Sequence, residues 1–231
     1  MAPLIKIIVR VPATTANLGP GFDALGMALD LWNRFEFDIE TDRSWPAAGA
    51  AAEPDVTVEC YGEGAGELPA DHNNLIYKAL RQGLGEAFPL RSVHLRVENS
   101  VPLSSGLGSS ATAIVGGLAA ARALRAAAAN GELFPGPPPG AERGGPPGGG
   151  ELTWEAVIRL ATAMEGHPDN VAAAVLGGLV TSVVAPEGRI EAIPVHPSDE
   201  LRVCVAVPDF YLNPRQTRGR LPERVSRHDA V

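Results

Sequence analysis

Residues 92–129 constrain the fold of this chain more than any other stretch. SVHLRVEN reads as a strand, PLSSGLGSSAT follows as a loop of glycines and serines, and an alanine-rich helix is predicted from about Ser110 to Ala129. A strand that passes through a glycine-rich turn into a helix aims unpaired backbone N–H groups, and roughly half a unit of positive charge, at whatever lies before that helix. The flanking segments must then supply the sheet and the layer that covers it.

They have the right patterns. IKIIVRV (5–11) alternates as a strand, 25–40 (LGMALDLWNRFEFDIE) reads as two strands with a bend near Trp32–Asn33–Arg34, and VTVECY (56–61) as a further strand. Between Asn74 and Phe88, Leu75, Ala79, Leu80 and Leu84 recur at helical spacing, and the pattern stops near Gly85 and Pro89. LTWEAVIRLATAM (152–164) predicts another helix, with Thr153 as its cap and Glu155 in its first turn. VAAAVLGG suggests a short helix, GLVTSVV and RIEAIPV suggest paired strands, and LRVCVAVP (201–208) reads as a strand suited to burial on both faces. The mixture predicts an α+β protein. Residues 131–150, GELFPGPPPGAERGGPPGGG, are too rich in proline and glycine to build a core and read as a flexible surface insertion.

Composition narrows the function. A hydrophobic content of 45% supports a real core, and a formal charge of −8 without a basic cluster in the first two hundred residues argues against a nucleic-acid partner. No stretch reaches the ~20 apolar residues of a membrane span, since Arg122 interrupts the longest. Lys6 and Arg10 break the short apolar run at the N-terminus, which reads as a strand and not as an export signal. Cys60 and Cys204 lie far apart without metal-ligand spacing, which fits a cytoplasmic protein.

Three functional readings of GLGSS compete with a bland one. A Walker-type loop needs a lysine where Ser109 and Ser110 stand, so that reading fails. Gly106, Gly108 and Ala111 match a dinucleotide fingerprint, yet no carboxylate lies between Ala111 and Asn130 to hold a ribose. A triphosphate cradle of backbone amides, serine hydroxyls and the helix terminus needs no lysine if Mg²⁺ carries the remaining charge. The bland reading is a glycine-rich connection whose serines cap the helix.

EGHPDN (165–170) gathers Glu165, His167, Asp169 and Asn170 in front of a short helix, with Pro168 suited to its first position. The helix terminus favours an ionised Asp169, and Glu165 is free to face a metal. One histidine without a second His or Cys at ligand spacing makes zinc a poor fit. A capped turn between helices is the plain alternative. Around a Gly-Pro-Gly turn, PATTANLGPGFDALGMALD (12–30) adds Asn17 and Asp23, which turn chemistry allows but does not require.

PATTANLGPGFDALGMAL, VPLSSGLGSSAT and EGHPDNVAAAVLGGL together resemble the GHMP family of small-molecule kinases, named for galactose, homoserine, mevalonate and phosphomevalonate; the first and last point to its homoserine branch. The resemblance covers most of 5–222. It implies a two-domain α+β fold: residues 1–195 as a ribosomal-S5-like, ATP-binding N-terminal domain carrying the 131–150 insertion, and 196–231 as the incomplete start of a ferredoxin-like C-terminal domain. It also implies ATP with Mg²⁺, phosphorylation of the side-chain hydroxyl of L-homoserine toward threonine, and a homodimer. By position, Pro102, Leu103, Ser104, Ser105, Gly106, Leu107, Gly108, Ser109, Ser110, Ala111 and Thr112 would form the phosphate loop. Ser109 or Ser110 would join Glu165 at Mg²⁺. Asn17, Asp23, His167, Asp169 and Asn170 would line the amino-acid pocket, where Asn170 stands in place of the aspartate base some relatives use. Arg218 would grip the substrate carboxylate through a planar bidentate pair.

Two departures stand out. Pro214 replaces the usual threonine four residues before Arg218, and the chain stops at HDAV where the family continues with a third glycine-rich segment and a second substrate arginine, so it looks C-terminally truncated. The rival readings are a kinase of a mevalonate-type alcohol, a nicotinamide dehydrogenase, and an inactive nucleotide-binding relative.

Overall fold

The computed structural model describes residues 4–42, 53–133, 151–198, 200–207, 224 and 226. Strands β1 (Leu4–Ala16) and β2 (Leu25–Thr41) form a long antiparallel pair. Then come β3 (Asp55–Gly62), α1 (Leu75–Leu84), β4 (Leu90–Asn99), α2 (Ser109–Ala129), α3 (Trp154–Glu165), α4 (Asp169–Leu176), β5 (Leu179–Val184) and β6 (Ile190–Val195). The six strands make one sheet in the order β3-β4-β2-β5-β6, with β1 on the other edge of β2. β3 and β4 run parallel, joined across α1; the other pairs are antiparallel.

The region 25–40 is one strand, not two. The expected bend is a bulge: Pro12 pairs Trp32 and Thr14 pairs Ala28, so residues 29–31 face a single residue of β1. On its other edge β2 pairs β4 from Arg34 to Thr41 and β5 from Leu25 to Met27. The bulge re-aims one strand to serve two partners, and alternation alone does not reveal it.

Period-two patterning sets the two faces of β2. Phe35, Phe37 and Ile39 are buried under the helices. The opposite face carries Glu36, whose carboxylate accepts from Lys6 Nζ at 2.6 Å and from Arg34 at 2.8 Å. α2 lies at the centre of the helical layer, and glycines let it approach closely: a Cβ on Gly116 would lie 2.4 Å from the Phe35 ring, and one on Gly117 2.2 Å from the Ile76 carbonyl oxygen. α2 is long and apolar enough to cross a membrane by length and composition, but 61% of that stretch is buried here, as in a central core helix.

Three further expectations shift. Leu133 and Leu152 are both buried in the main core, so the 131–150 insertion cannot begin before Leu133; residues 134–150 lie outside the described residues. Pro168 occupies the cap position of α4 and Asp169 its first turn, one residue later than predicted. Residues 201–207 form no strand, and Leu201, Val203, Val205 and Val207 are exposed, because among the described residues no strand or second layer covers them.

Candidate functional site

The glycine-serine loop is anchored from below. Leu107 packs with Ala13 and Val101 in a small buried cluster, and its carbonyl accepts the backbone N–H of Thr14 at 3.1 Å. Ser105 donates to the Pro102 carbonyl at 2.8 Å, which tightens the first turn of the loop. Leu103 packs on the neighbouring turn, where a Cβ on Gly64 would meet its Cδ1 at 2.5 Å. Ser104 adopts the left-handed region at φ 55°, an uncommon conformation for a residue with a side chain.

The serines do not cap α2. Its cap is Gly108, left-handed at φ 68° and without a side chain, while Ser109 and Ser110 are already the first two helical residues. No side chain satisfies the first N–H groups of the helix from the cap position, which leaves them open to water or a ligand. Behind them Thr112 donates to the Ser109 carbonyl at 2.8 Å and accepts from Asn33 Nδ2 at 3.0 Å. Asn33 is buried, and its Oδ1 accepts the N–H groups of Ser100 and Val101 at 2.8 and 3.1 Å. It thereby ties β2, the end of β4 and α2 together. Sequence reading passed over Asn33 because an asparagine near a bend looks like turn chemistry.

Glu165 is the last residue of α3, which ends at the left-handed Gly166. The hydroxyl of Ser110 donates to Glu165 Oε2 at 2.6 Å. Two of the three predicted metal-binding residues therefore meet at the start of α2. The backbone carbonyl of Ser109 accepts the Thr112 hydroxyl at 2.8 Å.

The second cluster forms where α4 docks on β2. A Cβ on Gly26 would lie 2.2 Å from the Asp169 carbonyl oxygen, so only glycine lets the start of α4 come this close. Asp169 is fully buried. Its Oδ1 lies 2.5 Å from His167 Nδ1 and accepts the Asn170 N–H at 2.7 Å, while Oδ2 is buried without a protein partner. Asp23 reaches the same place from the turn after β1: one ligand atom each of Asp23, His167 and Asp169 lie within 4.8 Å of one another. A buried carboxylate oxygen without a donor is costly, and a cationic group seated here would offset that cost. Asn17 and Asp23 are both left-handed, at φ 59° and 54°, and Asn17 Oδ1 accepts the Asp23 N–H at 2.8 Å. Asn17 thus builds the turn that presents Asp23.

The two clusters are joined by Thr14, which sequence reading did not single out although it lies inside PATTAN. Its hydroxyl donates to Asn170 Oδ1 at 2.8 Å, and a Cβ on Gly108 would overlap its Oγ1 at 2.0 Å. Arg218 and Pro214 lie outside the described residues. Beside the loop, a cleft of about 590 Å³ is walled by residues 28–31, Ser100, Pro102, Leu107 and the exposed valines 203, 205 and 207.

Residues 74–135 match the N-terminal domain of GHMP kinases. A homoserine kinase of Desulfitobacterium hafniense is 39% identical over 225 residues, covering 96% of this chain and 63% of that protein. One of Moorella thermoacetica is 41% identical over 229 residues, covering 97% of this chain and 64% of that protein. Among solved structures, a putative homoserine kinase of Listeria monocytogenes superposes with a TM-score of 0.57 at 30% identity, over 93% of this chain and 64% of that one. The homoserine kinase of Cytophaga hutchinsonii superposes at 0.65 with 22% identity, over 97% and 62%, a likeness of fold. The chain thus spans a little under two thirds of the length of these relatives.

Proposed function

Because the chain belongs to the GHMP kinases, we propose that it transfers the γ-phosphoryl group of ATP to the side-chain hydroxyl of L-homoserine. The observation that carries this reading is the Ser110–Glu165 contact at the uncapped start of α2, which sets an alcohol and a carboxylate beside a helix terminus open to phosphate. These two oxygen donors suit Mg²⁺, a hard cation that usually keeps one or two protein ligands and takes phosphate oxygens and water for the rest. When bound, Mg²⁺ would neutralise charge on the transferring group.

The loop backbone from Pro102 to Gly108 and the first N–H groups of α2 hold the phosphates. Asp23 and Asp169 receive the ammonium of the amino acid, His167 fixes the Asp169 carboxylate, and Arg218 pairs with the substrate carboxylate. Asn170 orients the hydroxyl through its side-chain N–H. It cannot accept a proton as a carboxylate would. The hydroxyl oxygen therefore forms its new bond to phosphorus as the bond to ADP breaks, and its proton passes to phosphate or solvent. Such a loose transition state asks mainly for positioning and charge stabilisation.

The test is direct. The 231-residue chain is incubated with Mg²⁺-ATP and either L-homoserine or mevalonate, and phosphate monoester is followed by ³¹P NMR. Phosphorylation of homoserine alone is expected. A preference for mevalonate would overturn the substrate, and nucleotide binding without transfer to either would leave a binding protein.

A further inference from the structure

The connection between the two clusters suggests a role for Thr14, which is fully buried although it carries a hydroxyl. Its backbone N–H donates to the Leu107 carbonyl of the loop at 3.1 Å, and its hydroxyl donates to Asn170 Oδ1 at 2.8 Å, 156 residues along the chain. The backbone of Gly108 rests on the same hydroxyl, for a Cβ there would sit 2.0 Å from Thr14 Oγ1 and 3.2 Å from Asn170 Oδ1. The orientation of the Asn170 carboxamide follows from its other neighbour. The Asn170 nitrogen lies 3.4 Å from Asp169 Oδ1, an acceptor it can donate to, and the Asn170 oxygen faces the Thr14 hydroxyl.

We propose that Thr14 is a positioning residue that couples the glycine-serine loop to Asn170, so that occupation of the loop by a nucleotide triphosphate sets the carboxamide that orients the acceptor hydroxyl. The role of Asn170 in this statement rests on the function proposed above; the mechanical link does not. A loop that moves when phosphate binds carries Leu107 and Gly108 with it, and both press on Thr14. The threonine has one proton to give and gives it to Asn170. Its shift is thereby passed to the amide. A residue that merely filled space at this point would need no hydroxyl.

The experiment reads the side-chain amide signal of Asn170, assigned with Asn170→Ala, in the ¹⁵N-labelled chain with and without the Mg²⁺ complex of a non-hydrolysable ATP analogue. The wild type and Thr14→Ser should show a nucleotide-induced shift of that signal. Thr14→Val, which keeps the shape and drops the hydroxyl, should lose the shift while analogue affinity changes less than about threefold, and should lower kcat about tenfold to a hundredfold at nearly constant KM for ATP. A Thr14→Val protein with the wild-type shift overturns the proposal. A second pair stays informative if Thr14→Val does not fold. Gly106 and Gly108 are both left-handed, at φ 77° and 68°, but a Cβ on Gly106 would meet nothing within 4 Å. Gly108→Ala should therefore displace the Asn170 signal in the nucleotide-free protein and Gly106→Ala should leave it in place; equal behaviour of the two overturns the coupling. A wild type that shows the shift but does not phosphorylate homoserine refutes the function and leaves the coupling standing.

Discussion

The two halves of β2 use one strand for different ends. From Asn33 to Thr41 it is held on both edges, by β1 and β4, and buries Phe35, Phe37 and Ile39 under the helical layer. Between Leu25 and Leu31 it bulges from β1 at residues 29–31, exchanges β4 for β5, and meets the start of α4 through Gly26. The first half keeps regular pairing from Arg34 to Glu40, with a register shift against β4 only at Glu40/Thr41, because regular pleating buries the most apolar surface. The second departs from regularity where polar groups must converge, and the chain stores left-handed residues there, at Asn17 and Asp23, that packing alone would not select.

Substitutions should separate the halves. The largest effect is expected from Phe37→Ala, which empties a fully buried site and should destabilise the fold by about 3–5 kcal/mol in denaturant titration. Under conditions where that variant remains folded, its preference among acceptor alcohols should match wild type. Asp23→Asn should behave in the opposite way: kcat/KM for homoserine falls by about thirtyfold to several-thousandfold, or about 2–5 kcal/mol, while nucleotide affinity and Tm stay near wild type. Comparable loss of stability in both variants would erase the distinction.

Gly26→Ala belongs between them. The added methyl at 2.2 Å from the Asp169 carbonyl must push α4 from β2, for a cost of about 1–3 kcal/mol, typical of overpacking, together with weaker homoserine binding by calorimetry. Unchanged binding would mean that the docking of α4 does not set the pocket.

The smallest effect should come from the outer face of the regular half. Hydrogen bonds from Lys6 and then Arg34 hold the Glu36 carboxyl below the usual carboxylate range. The unfolded chain therefore binds that proton more readily than the folded one. The stabilisation is present above the ordinary Glu pKa and is lost as pH falls through the depressed folded value. Glu36→Gln should flatten the acid limb of a plot of Tm against pH only slightly, since the Lys6 partner is exposed. A steep acid limb that survives the substitution would assign acid lability to other carboxylates.

Much of the fold was legible because period and punctuation are local. Thr153 caps α3 through its side chain, as its position before an apolar-periodic run predicts, and Asn74, at the head of the periodic stretch, caps α1 in the same way. The glycine-serine loop, EGHPDN and the Asn17–Asp23 turn were visible as polar concentrations whose residues exceed what turns require. Their shared chemistry entered through resemblance to a kinase family, since no spacing along the chain says that 102–112 and 165–170 meet.

Sequence by itself determined the α+β alternation, the absence of a lysine from the loop, and which carboxylates were available, because these depend on residue type and short-range periodicity. Only the tertiary structure decided that 25–41 is one bulged strand shared by β4 and β5, and that 201–207 remains uncovered, because each depends on partners distant in the chain. It also decided that Ser110 and not Ser109 meets Glu165, 55 residues away, and that Thr14 bridges to Asn170. A hydroxyl reads alike in any sequence; its role is set by which acceptor the packed backbone brings within hydrogen-bond distance.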